Sequence, residues 1–264
     1  MNIFNLIDKI QQFDGDAVGR IEHASRRMFM NRIGSKLAAT AVPLAFGAIV
    51  NKAFAASPMA VDVLKFALTL EYLESEFYML GNDSGIIPSE YKDVFARIGA
   101  NEKTHVEFLM TALGAEAPAK PTFDFTAKGM YNPFGDFPTF VTLSKAFEDT
   151  GVRAYKGQAP NLMADKPLLE YALQIHSVEA RHAAIARKIL AKLTDDKKIK
   201  GWITNAEGMP AAVYAGEEVV LQGGVNLPGV EGLEKMSFAT ITEAFDEPLT
   251  KAEVLAIATP FIVA

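Results

Sequence analysis

Between Ser57 and Leu193 the apolar positions fall into four long stripes of helical period. In the first, Val63, Phe66, Ala67, Leu70, Leu73 and Phe77 recur at three- and four-residue steps, which lines one face of a helix. Ser57-Pro58 offers an N-cap followed by proline at the first helical position, and Gly81-Asn82-Asp83 reads as a stop, so this helix is predicted to end near Leu80. The second segment is predicted from about Ser89 to Leu113, ending at Gly114. The third runs from about Asp136 to Lys156, before Gly157, and the fourth starts after Asp165-Lys166-Pro167 and persists to about Leu193. Between the second and third, Gly114 to Gly135 contains Pro118, Pro121 and Pro133, which predicts a long irregular crossover rather than a tight turn. The fold class is all-α: two helical hairpins joined by one long crossover into a four-helix bundle.

The two hairpins repeat each other. Glu71 and Glu148 are 77 residues apart, and so are Tyr78 and Tyr155, Glu102 and Glu179, and His105 and His182. Ile98 with Ile175 and Leu113 with Leu190 keep the same register. Each half therefore carries a Glu, a Tyr seven residues on, and a Glu-x-x-His unit. A pair of hairpins related by a two-fold axis is the simplest source of such a pattern.

Residues at i and i+3 share a helix face, so Glu102 projects with His105 and Glu179 with His182. A Glu from each of two helices and a Glu-x-x-His pair from each of the other two is the dimetal arrangement of ferritin-like bundles. Glu71, Glu102, His105, Glu148, Glu179 and His182 are thus the candidate metal ligands and active-site residues. Six such donors surround two hard or borderline divalent ions, carboxylates bridging and each imidazole holding one metal. Four carboxylates facing one core would also be costly without cations. The bland alternative is that these side chains sit on solvated faces. A random chain with 19 Glu and four His holds about 0.3 Glu-x-x-His units, and this one has two in register.

Composition narrows the chemistry further. The chain has 264 residues, a net charge of −6 and no cysteine. The acidic balance argues against nucleic acid as a partner. The missing thiols exclude disulfides, thiolate zinc and iron–sulfur clusters. There is no phosphate loop, nucleotide fingerprint or Ser-His-Asp order.

Residues 61–80 (VDVLKFALTLEYLESEFYML) resemble the opening helix of bacterial ferritin-like proteins, among them desiccation-associated proteins, and the resemblance covers roughly residues 57–195. It implies two iron ions, or alternatively two manganese ions, on the six ligands named. It implies as substrate oxygen or hydrogen peroxide, in ferroxidase or catalase-like chemistry. A rubrerythrin-like electron relay is disfavoured, since no Cys exists to hold its iron. A non-enzymatic structural or stress-protective bundle is the second reading, and assembly with a second copy or a related ferritin-like subunit is expected. Glu74, one turn beyond Glu71, has Gly151 as its counterpart and ranks as an extra carboxylate outside the six. Tyr78 and Tyr155 read as hydrogen-bond donors to the ligands or as core aromatics. His176 reads as structural or exposed, Asp149 and Arg153 as an outer pair or a solvated salt bridge, and Met79, Met110 and Met163 as core filler.

Residues 1–55 read as a leader. Ser25-Arg26-Arg27-Met28-Phe29-Met30 is similar to the twin-arginine export motif, Ile33–Val50 is mostly apolar, and Ala53-Phe54-Ala55 suits a signal peptidase cutting after Ala55. The expectation is a periplasmic or cell-envelope protein, membrane-anchored only if the leader is retained. Residues 56–195 are then the bundle, and 196–264 a Gly- and Pro-containing extension packed on it or on a partner subunit. A short helix is expected at Ser237–Phe245 and a last one from Lys251 to Ala258, before an apolar end.

Overall fold

The computed structural model describes residues 57–263; the leader and its cleavage position lie outside the described residues. Helix α1 spans Pro58–Asp83, and the Ser57 hydroxyl caps it by accepting from the Ala60 N–H at 3.2 Å. It runs past the predicted stop. Gly81 is buried, and a Cβ there would lie 2.2 Å from the Phe140 ring, so this glycine serves a close helix approach instead of a turn. The true end is Ser84, whose N–H bonds the Leu80 carbonyl and whose hydroxyl donates to that of Gly81.

Helix α2 spans Ser89–Leu113, α3 Phe137–Gln158 and α4 Lys166–Thr194. Asp136 and Asp165 cap α3 and α4 by accepting from Thr139 N–H and Leu168 N–H. Helix α3 also passes its predicted end. At Gly157 a Cβ would sit 2.0 Å from the Leu249 carbonyl, so here too the glycine admits a neighbouring backbone. α4 ends at Asp195, which takes up a positive φ of 49°.

The helices pack as two hairpins, α1 on α2 and α3 on α4, with α1 against α3. One end of the core is aromatic. Phe77 stacks on Phe140 (centroids 4.9 Å apart, 12° between planes), meets Phe147 edge-on at 5.0 Å, and braces the Tyr78 ring at 5.5 Å. Among the described residues no helix is long and apolar enough to cross a membrane.

The crossover contains the two-residue strand β1 (Thr122–Phe123). In the extension, Leu221–Gln222 (β2) pairs with Val225–Asn226 (β3), followed by α5 (Phe238–Thr242) and α6 (Lys251–Ala258), the latter opened by a Thr250/Glu253 capping box. The last strand, β4 (Ile262–Val263), pairs antiparallel with β1. Phe261 is buried edge-on against Phe147 at 5.0 Å and stacks on Tyr131. The chain's own crossover and α3 therefore cover Phe261, while Val263 stays exposed. Met79, Met110 and Met163 do not fill the core: all three are exposed, Met79 pointing away from the Phe77 stripe and Met110 yielding the inner position to Leu109.

Candidate metal centre

Halfway along the bundle the core turns from apolar to acidic. α1 contributes Glu71, α2 Glu102 and His105, α3 Glu148, and α4 Glu179 and His182, with all four carboxylates completely buried. Their donor atoms gather into two groups, each with atoms within 4.8 Å of one another. Glu71, Glu102, His105 and Glu179 form one group; Glu102, Glu148, Glu179 and His182 form the other. Glu102 and Glu179 belong to both.

The sharing is resolved to single oxygens. His105 Nδ1 lies 3.0 Å from Glu102 Oε2, 3.0 Å from Glu179 Oε1 and 3.1 Å from Glu71 Oε2. His182 Nδ1 lies 2.7 Å from Glu102 Oε1, 3.3 Å from Glu148 Oε2 and 3.7 Å from Glu179 Oε2. Each Glu-x-x-His glutamate thus turns one oxygen to each imidazole.

The tyrosines hold the other two glutamates from across the bundle. Tyr78 on α1 donates to Glu148 Oε1 on α3 at 2.5 Å, and Tyr155 on α3 donates to Glu71 Oε1 on α1 at 2.5 Å. Each leaves Oε2 of its glutamate facing the centre. Two further residues, absent from the sequence reading, support this arrangement. Ser144 Oγ shares a 2.5 Å hydrogen bond with the Tyr78 hydroxyl, and Asn101 Oδ1 lies 3.3 Å from His182 Nε2, fixing the ring from behind. Neither follows the 77-residue repeat, whose counterpart positions hold Ala67 and Val178, so the signal that exposes the six converging residues misses them.

The electrostatics are those of a site built for positive charge. Burial, reinforced by neighbouring carboxylates, raises Glu71 to about 8 and pushes Glu148 well above the usual carboxylate range. Burial opposes a charge on the imidazoles, yet the surrounding carboxylates prevail, holding His105 far above its ordinary value and His182 at about 12. Burial also works against the Glu179 carboxylate, but hydrogen bonds from both imidazoles bring it down to about 2. Glu102 Oε1, Glu148 Oε2, both Glu179 oxygens and His182 Nδ1 are buried without an aligned hydrogen bond, although they lie at ion-pair distances. Lone pairs converging on one space without donors between them fit cations better than protons. Four carboxylates and two imidazoles suit iron and manganese alike.

Glu74 is brought beside the cluster but into neither donor group. Its Oε1 lies 3.3 Å from where a Cβ of residue 151 would be, so Gly151 supplies its space. Burial, then Glu179, Glu148, Glu71 and Glu102, push its carboxyl well up. Asp149 and Arg153 do not pair with each other, because each reaches outward to a different partner. Asp149 takes both Arg187 nitrogens Nε (3.1 Å) and Nη2 (2.5 Å) and the Tyr214 hydroxyl (2.8 Å). Arg153 bonds the carbonyls of Glu247, Val213 and Ala215 and lies 2.9 Å from Glu217. His176 is half-buried and lines a cavity of about 570 Å³ between α3, α4 and the extension.

Residues 59–192, half of the chain, match the ferritin-like domain family, and the chain belongs to that family. No curated protein matches it.

Proposed function

We propose that this ferritin-like chain is an exported protein holding two metal ions, iron first and manganese as the alternative, at a centre that reacts with oxygen or hydrogen peroxide. The observation that supports it most is the sharing of Glu102 and Glu179, one oxygen of each turned to either imidazole. Glu71 and His105 would hold one ion, Glu148 and His182 the other, and Glu102 and Glu179 both. When bound, such ions supply Lewis acidity and cycling between two oxidation states toward an O–O bond.

The chain's own residues do the rest. Tyr78 and Tyr155 fix the outer oxygens of Glu148 and Glu71, and Asn101 orients the His182 ring. Complete burial of the four carboxylates keeps bulk water out and restricts the substrate to a very small molecule. Glu74, whose carboxyl burial pushes well above the usual range, is able to hold or release a proton beside the centre. Iron oxidation is the preferred activity, catalase-like disproportionation the next, with oxidative-stress protection as the role.

The same complete burial favours a second reading, in which the metals act as part of the core of a structural or stress-protective assembly protein. Glu102→Ala separates the two. It is expected to abolish oxygen- or peroxide-dependent turnover; full turnover in that variant would reject the active-site assignment. Metal removal that lowers Tm in a protein with no redox activity would favour the structural reading.

A further inference from the structure

On the far side of α3 from the crossover, a second cluster of charge has no place in the metal centre. Lys145 is only 6% exposed, and its ammonium lies 5.0 Å from the centroid of the Tyr214 ring. Among the described residues it has no carboxylate within ion-pair distance. A buried ammonium without a counter-charge is costly, and such groups are normally paired. Burial, then the nearby Arg187, bring it down to about 8, while Asp149, itself paired with Arg187, acts the other way from beyond ion-pair distance.

Lys145 lines a cavity of about 200 Å³ together with Arg187, Lys198, Lys200 and Trp202. That is room for several waters at about 30 Å³ each. Arg187 commits Nε and Nη2 to Asp149, which leaves Nη1 outside that pair. Lys200 pairs with Glu243 at 2.6 Å, while Lys198 is exposed at the cavity and its ammonium has no ion pair among the described residues. Two acids also line the space, but both serve their own loops. Asp196 accepts from the Lys198 N–H and Glu207 from the Asn205 side chain. Four cations and two acids line the cavity, and among the described residues Lys145 and Lys198 are the cations there without an ion pair.

We propose that Lys145, Arg187 and Lys198 form a binding site for a small oxyanion, inorganic phosphate or the phosphate of a small ester, separate from the metal centre. Lys145 would meet it from inside, Lys198 from the rim and the free edge of Arg187 from the side. Trp202 also lines the adjoining larger cavity, where the organic part of an ester would extend.

Titration calorimetry on the full chain with inorganic phosphate, and separately with glycerol phosphate, tests this. One site per chain is expected, weakened about tenfold or more by Lys145→Gln and several-fold by Lys198→Ala, and retained in His105→Ala/His182→Ala. Tighter binding of the ester would identify an esterified source, and equal binding the free anion. No heat with either probe at millimolar concentration would overturn the site. So would binding that neither lysine variant weakens, or binding lost with the two histidines. Should Lys145→Gln fail to fold, the exposed Lys198→Ala carries the decision alone.

Discussion

Where the first hairpin carries Tyr72 and Glu76, the second carries Asp149 and Arg153 at the same repeat positions, and each pair holds a different cover. On the first hairpin the cover is the crossover. The Tyr72 hydroxyl donates to the Pro118 carbonyl at 3.4 Å, and Glu76 pairs with Lys120 near the surface. On the second the cover is the C-terminal extension, held by buried Arg153 and by the Asp149–Arg187–Tyr214 group. Leu68 and Met110 stand where the second hairpin has Lys145 and Arg187, so the first hairpin lacks that charged network altogether. The six residues whose donor atoms converge agree between the halves, whereas the residues that hold the covers differ, as do the one-sided supports Ser144, Asn101 and Glu74 at the centre.

The largest effect should come from the divergent pair. Arg153→Met leaves Glu217 and three carbonyls without their partner and is expected to cost about 3–5 kcal/mol in urea unfolding. Its counterpart Glu76→Met should cost at most about 1 kcal/mol, because a surface ion pair is worth little. Equal costs would mean that the two covers are held alike.

That contrast also shows what a sequence can carry. The stripe through Val63, Phe66, Leu70, Leu73 and Phe77, with the Ser57, Asp136 and Asp165 caps, made the helices legible because helix signals are local. The six side chains that converge at the centre were legible because the repeat carries each of them twice. Gly81 and Gly157 misled, since a glycine that admits Phe140 or the Leu249 carbonyl looks like one that ends a helix. The bonds of Arg153 join residues 60 to 94 apart with no repeat to announce them, and Asn101 and Ser144 each occur in one half only.

Agreement between the halves predicts that both titrate together on metal loading. Glu71 lies at about 8 and Glu148 is raised, so both must lose protons to bind, as must His182 from about 12. Protons bound by the metal-free form compete with the metal, so affinity should rise with pH. A gain of at least about 100-fold from about pH 6 to about pH 8 is expected, with proton release measurable by calorimetry in buffers of different ionisation enthalpy. Affinity flat across that window would contradict the raised carboxylates.

A smaller difference between the halves is expected within the centre. Tyr78→Phe and Tyr155→Phe each remove one bond to a buried carboxylate, worth about 1.5–3 kcal/mol of metal-free stability. Tyr78→Phe should cost more, because Ser144 loses its partner as well.

On this reading Glu102 and Glu179 join two metal positions into one centre. Metal content per chain, measured on aerobically purified protein beside the His105→Ala/His182→Ala variant, tests it most directly. The expected result is about two iron or manganese ions per chain in the wild type and almost none in the variant. A folded wild type that holds no metal even after reconstitution would contradict it.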